Sequence, residues 1–137
     1  MANYQGLPKD QIMLQDAKKE IGEEAYNVLL QSERDENKFI NSLKSFVANN
    51  ARDISTSQLR NIFSKVKNIK NYQMLYLLRP KLAYVYGRTD NRNKGMKKLL
   101  SLLDDQIQKV DNKEKLEQFQ NFFESVIAYH KFYEGGN

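Results

Sequence analysis

One histidine and two adjacent aspartates are the first places to look for chemistry in this chain. His130 is the only histidine, which excludes a two-histidine acid–base site or a multi-histidine metal site within one chain. It falls on the apolar side of a helical pattern, where a hydrogen-bonded core or interface histidine is the ordinary case. Asp104 and Asp105 are neighbours, and on a helix neighbours diverge by about 100°, whereas a metal needs carboxylates that converge. They read as surface charges. There is no Gly-rich loop followed by Lys-Ser/Thr, no Gly-x-Ser-x-Gly elbow and no Asp-rich calcium loop. The absence of cysteine removes thiolate chemistry, cysteine zinc sites and disulfides. The expectation is a binding protein with no catalytic residues, no metal and no cofactor.

What binds is suggested by charge. The net charge of +5 conceals a division along the chain. Residues 1–50 hold 6 Lys/Arg against 8 Asp/Glu, residues 51–100 hold 12 against 2, and residues 101–137 hold 4 against 7. A positive field concentrated in the middle third suits a polyanion, the alternative being a solvated basic surface balanced by acidic neighbours after folding. The candidate nucleic-acid contacts are Arg52, Arg60, Lys67, Arg79, Lys81, Arg88, Arg92, Lys97 and Lys98. Arg79 and Lys81 cannot both be buried unpaired, so they either reach solvent or pair with acids such as Asp104, Glu117 or Glu124. Tyr72, Tyr76, Tyr84 and Tyr86 alternate with Arg79, Lys81 and Arg88; such rings form a stacking platform for bases or fill the core, and core filling is the favoured reading.

The elements that must position these residues are helices. No stretch alternates with period two, and there is no internal repeat. Residues 1–8 read as a flexible lead and 9–137 as a single helical domain. From Lys9 to about Ser32, Leu14, Ala17, Ile21, Ala25, Val28 and Leu29 share one side, with Gly22 a weak point. Asp35 caps a helix carrying Phe39, Ile40, Leu43, Phe46 and Val47, and Ser55 with Gln58 opens one carrying Leu59, Ile62, Phe63, Val66 and Ile69. Arg60 and Lys67, seven apart, share a flank of that helix. Tyr72–Arg88 is apolar on every side, which requires burial on every side. It is expected to be the central rod, kinked or split at Pro80 and ended by a left-handed Gly87. A helix with Met96, Leu99, Leu100, Leu103, Ile107 and Val110 inward and Lys97 and Lys98 outward follows. Asp111 and Glu114 open the last one, whose wide aromatic face serves the core or a neighbouring subunit. The predicted architecture is an all-α compact bundle of five to six helices around a central, kinked, mostly buried helix at about 72–87. The first ten residues lack the apolar core of a signal peptide, and the longest apolar run, Met74 to Leu78, is far too short for a membrane span, so a cytoplasmic protein is expected.

The run Leu78-Arg79-Pro80-Lys81-Leu82-Ala83-Tyr84-Val85-Tyr86-Gly87-Arg88, a basic helix after it, and the ending Phe122-Phe123-Glu124-Ser125-Val126-Ile127-Ala128-Tyr129-His130-Lys131-Phe132-Tyr133 resemble the small subunit of the type III-A CRISPR effector, the Csm complex. The resemblance is strongest from Leu78 onward and extends back to about Asp35; residues 1–34 do not match. It implies a small helical, non-catalytic protein in antiviral defence, present in several self-associating copies beside the backbone subunits, with its row facing paired guide RNA and target RNA. RNA cleavage would belong to the backbone subunits, and DNA cleavage and cyclic oligoadenylate synthesis to the large subunit. A DNA-binding regulator and a protein-binding adaptor remain the alternatives. The former needs a two-helix unit whose second helix presents base-reading polar residues.

Overall fold

The computed structural model describes residues 11–31 and 33–134; the expected flexible lead and the closing Gly135-Gly136 lie outside them. Seven α-helices and two 3-10 segments follow one another: α1 (Gln11–Ile21), α2 (Glu23–Asn27), α3 (Glu36–Asn50), a 3-10 turn at Ala51–Asp53, α4 (Thr56–Val66), a 3-10 segment at Tyr72–Leu78, α5 (Arg79–Arg88), α6 (Lys94–Lys109) and α7 (Lys113–Glu134). The all-α expectation holds. The helix count exceeds five to six because Gly22, at φ +95°, breaks the first helix into α1 and α2, a conformation that costs glycine no Cβ clash.

Two of the expected caps are made. Asp35 accepts from the Lys38 amide at 3.1 Å and Ser55 from the Gln58 amide at 3.3 Å, each satisfying a donor that the first helical turn leaves free. The third is displaced by one residue. Asn112, not Asp111, accepts from the Lys115 amide at 2.8 Å, while Asp111 pairs with the Lys115 ammonium at 3.1 Å. Gly87 is not a left-handed terminator either: it sits inside α5, which ends one residue later at Arg88 with extended Thr89 beyond.

The central rod is α6, not residues 72–87. α6 packs against α1, α3, α5 and both 3-10 segments, and Leu99 through Asp104 are all buried. Between Tyr72 and Arg88 only Leu75, Leu82 and Val85 are buried, and Met74, Tyr76, Leu77 and Tyr84 are exposed. The physical reason is coverage. This stretch has its principal packing partner in α6, so a segment apolar on every side leaves one side uncovered. Pro80 does split it, standing in the first turn of α5 where its missing amide costs nothing and the tighter 3-10 winding gives way to α.

α3 joins the two halves of the bundle, packing on α1 and α6 on one side and on α7 on the other, while α4 lies on α7. The aromatic face of α7 is mostly consumed inside the chain. Phe119, Phe122 and Phe123 are buried, Phe122 against Phe39 with centroids 6.4 Å apart and Phe123 against Phe63 at 5.2 Å. At its end Phe132 and Tyr133 form an exposed edge-to-face pair.

His130 is a structural residue. It is buried, and its Nε2 lies 3.2 Å from both the Ala51 and Ile54 carbonyls. Carbonyls only accept, so Nε2 carries the proton and closes the 3-10 turn against α7. His130→Leu keeps the bulk and removes the donor, and is expected to lower unfolding free energy by about 1–3 kcal/mol in urea titration.

Candidate nucleic-acid interface

The basic middle third is sharper than its totals suggest. Residues 54–89 contain Arg60, Lys65, Lys67, Lys70, Arg79, Lys81 and Arg88 and no Asp or Glu. Any counter-charge for these cations must therefore come from other elements, and the structure supplies it selectively.

Arg79 and Lys98 are held by the fold. The Arg79 guanidinium meets Asp104 through Nε at 2.9 Å and Nη2 at 3.4 Å, and the Asp104 side chain is only 1% exposed. Gln108 donates to the same carboxylate at 3.2 Å. Asp104 is thus the buried anchor of α5 on α6 and not a surface charge. Asp105 is likewise engaged, accepting from the Tyr26 hydroxyl at 2.5 Å and pairing with Lys109 at 3.0 Å. The expectation that Lys98 points outward fails for the same reason: its ammonium lies 2.7 Å from Glu20, whose other oxygen accepts from Asn50 at 2.8 Å. That network ties α1, α3 and α6 together.

Three more cations have local partners at the α5–α6 corner. Arg92 bonds Asp90 at 3.0 Å on the open surface. Its hydrogen bonds hold the Asp90 carboxyl below the ordinary range, and Asp90 in turn raises Arg92. The sign follows: this pairing contributes above the unfolded aspartate range and is lost as pH falls through the lowered value. Lys97 donates to Asn91 at 2.7 Å with its ammonium 4.6 Å above the Tyr86 ring, and Arg88 donates to the Tyr84 hydroxyl at 3.1 Å.

Arg52, Arg60, Lys67 and Lys81 complete the set, and none has an ion pair among the described residues. Arg52, Arg60 and Lys67 are exposed and Lys81 is half-buried. Arg60 and Lys67 do share a flank. Leu59, Ile62 and Val66 turn the other side of α4 into the core, and Lys67 continues the helical backbone at φ −64° and ψ −24°. Sequence reasoning did not single out what lies next to Lys67. A groove of about 440 Å³ between the end of α4 and the start of α7 is lined by Lys67, Lys70, Lys113 and, one turn on from Lys113, Glu117. Gln120 fixes its floor by donating to the Val66 and Ile69 carbonyls at 3.0 and 2.9 Å. The signal for Lys70 was the Lys65–Lys70 run; Lys113 lies 43 positions further on and only folding brings it there.

The four tyrosines divide. Tyr76 donates to the Val110 carbonyl at 2.5 Å, Tyr72 packs edge-on against it, and Tyr86 is half-buried under Lys97, all as structural aromatics. Tyr84 departs from the core reading, being 59% exposed.

Among the described residues no group of three or more metal-ligating side chains is present, and no helix is long and apolar enough to cross a membrane. Comparison with curated proteins and with solved structures finds no match. A family model, Csm2 Type III-A, matches residues 33–136, beginning within two residues of the Asp35 at which the sequence resemblance begins. The chain therefore belongs to the Csm2 Type III-A family and is a small subunit of the type III-A CRISPR effector, the Csm complex.

Proposed function

We propose that this protein is a non-catalytic scaffold of the effector, stacked in several copies along the backbone subunits in the cytoplasm and holding guide RNA and target RNA through phosphate contacts. The observation that carries the reading is the acid-free stretch 54–89 together with cations that have no ion pair among the described residues: Arg52, Arg60, Lys67 and Lys81, and, with neutral hydrogen-bond partners only, Arg88 and Lys97. Phosphates carry no base identity, so these contacts give affinity and register, and guide pairing gives specificity. Arg79 and Lys98 support the fold that presents them. Lys67 also lines the groove with Lys70 and Lys113, which adds two cations beside it.

Stacking explains how modest contacts suffice. Each copy neutralises a few phosphates, and linked copies raise the effective concentration of the next contact, so the assembled row binds far more tightly than a free chain. The exposed Phe132–Tyr133 pair at the end of α7 suits contact with a neighbouring copy or backbone subunit. A DNA-reading role is disfavoured by α5, whose exposed side offers Tyr84 and Arg88 but no row of base-reading amides.

The test is reconstitution with guide RNA and the remaining subunits. Omitting this chain is expected to weaken target-RNA binding while the backbone subunits retain RNA cleavage. An effector that binds target with full affinity without it would overturn the scaffold role.

A further inference from the structure

We infer that Tyr84 is a stacking site for an unpaired RNA base, with Lys81 and Arg88 taking the phosphates on either side. The inference rests on the RNA-facing role proposed above and adds to it a ring-dependent, charge-independent contact.

Lys81, Tyr84 and Arg88 stand at i, i+3 and i+7 of α5 and so share one face, roughly 100° round the helix from the buried Leu82 and Val85, with Lys81 at the edge nearer to them. Lys81 and Arg88 are about 10 Å apart along the axis at 1.5 Å per residue, with the ring between them. The ring is 59% exposed, although an aromatic of this size ordinarily finds burial. It is also held in place: Arg88 Nη1 donates to its hydroxyl at 3.1 Å and the guanidinium lies 5.6 Å from the ring centroid. A fixed, exposed ring beside a planar cation presents a π surface without the entropy cost of ordering it.

The charge around it selects the occupant. No acid occurs between residues 54 and 89, and Asp90 is engaged by Arg92. A protein partner covering this face would bury two cations and would have to bring matching carboxylates. A nucleic-acid strand brings the counter-charge and the flat apolar surface in one repeat. Paired bases are already stacked within a duplex, so the contact is made with single-stranded or splayed-out nucleotides.

The experiment uses the full chain at low salt with a short single-stranded RNA and an RNA duplex of the same length, for wild type, Tyr84→Phe, Tyr84→Leu and Arg60→Ala/Lys67→Ala. Tyr84→Phe, which keeps the ring and loses the hydroxyl that Arg88 holds, should bind single strands more tightly than Tyr84→Leu and no more tightly than wild type. Tyr84→Leu, which keeps apolar bulk and loses the ring, should weaken single-strand binding about 5- to 150-fold. Its duplex affinity and its salt slope should not change, because the ring neutralises no phosphate. Equal single-strand affinity for Tyr84→Leu, beside a flattened slope for Arg60→Ala/Lys67→Ala, would overturn stacking and leave the phosphate reading standing. Failure of Tyr84→Leu to join the effector with its RNA affinity unchanged would make the face a protein contact and overturn the inference. Wild type without affinity for single-stranded RNA at low salt would overturn the stacking site, while the scaffold role stands or falls on the reconstituted effector. Equal thermal unfolding of the Tyr84 variants and wild type confirms that binding, not folding, is compared.

Discussion

Arg79→Ala is expected to destabilise the protein by about 3–5 kcal/mol, because it leaves the Asp104 carboxylate buried without its cation. The Gln108 amide at 3.2 Å still solvates that carboxylate, which places the result toward the lower end. For a domain of this size a change of about 3 kcal/mol lowers the melting temperature by roughly 10 °C. Urea unfolding measures it directly. The double variant Arg79→Met/Asp104→Leu removes both charges and is expected to recover most of the loss, since the larger part of the single-variant cost is an unpaired charge and not a missing attraction. A loss below about 1 kcal/mol for Arg79→Ala would show that the pair is solvent-screened and does not anchor α5. This matters for function as well. A loss of RNA binding in an Arg79 variant would report unfolding, so Arg79 belongs outside any set of substitutions meant to test RNA contact.

The second large effect is a contrast between two glycines in helices. A Cβ on Gly95, at the start of α6, would lie 2.8 Å from the Asn50 carbonyl oxygen and 2.9 Å from the Cβ atoms of Asn50 and Asp53. One of these is backbone, and the Asn50 side chain is tied to Glu20 and to the Phe46 carbonyl, so the neighbours cannot swing aside. Gly95 also donates its amide to Asp53 at 3.1 Å, satisfying a free donor at the helix start. Gly95→Ala is expected to cost about 1–3 kcal/mol or more, against an intrinsic helix preference that favours alanine by up to about 1 kcal/mol. A Cβ on Gly87 in α5 would meet nothing within 4 Å, so Gly87→Ala should stabilise by a few tenths to about 1 kcal/mol. Opposite signs for the same substitution, read from denaturant midpoints, are the expected result. Destabilisation by both would mean that Gly87 is needed for its backbone freedom after all.

The helices were legible because their signals are local. Leu59, Ile62, Phe63 and Val66 make the seam of α4, and Asp35 and Ser55 mark helix starts within three residues of the amides they cap. What could not be read was coverage and pairing. The apolar character of Tyr72–Arg88 reports which side chains avoid water, not how many neighbours arrive to cover them. α6 hid its central place behind Asp104, which reads as a surface charge and is buried, as are the polar Ser101 and Gln106. Asp104 is buried because Arg79, 25 positions earlier, meets it. Gly22 and Gly87 exchanged roles: the one that takes positive φ breaks the first helix, and the expected terminator continues α5.

The candidate site divides along the same line. That positive charge concentrates between residues 51 and 100 is a property of the sequence, and so is the shared flank of Arg60 and Lys67. Which cations are free is a property of the fold, because Glu20, Asp90 and Asp104 each take one from the set. The exposure of Tyr84 follows from the same shortage of neighbours that left the 72–88 stretch half covered.

The central claim is that Arg52, Arg60, Lys67 and Lys81, which have no ion pair among the described residues, hold RNA through its phosphates, and the salt dependence of target binding tests it most directly. Effector would be reconstituted with wild-type chain or with Arg52→Ala/Arg60→Ala/Lys67→Ala/Lys81→Ala, and the dissociation constant for target RNA measured across a salt series. Every phosphate that the variant no longer neutralises should reduce the magnitude of the log–log slope by about 0.7–0.9, with affinity falling most at low salt. A fully assembled effector whose slope and affinity are unchanged by the four substitutions would contradict the account.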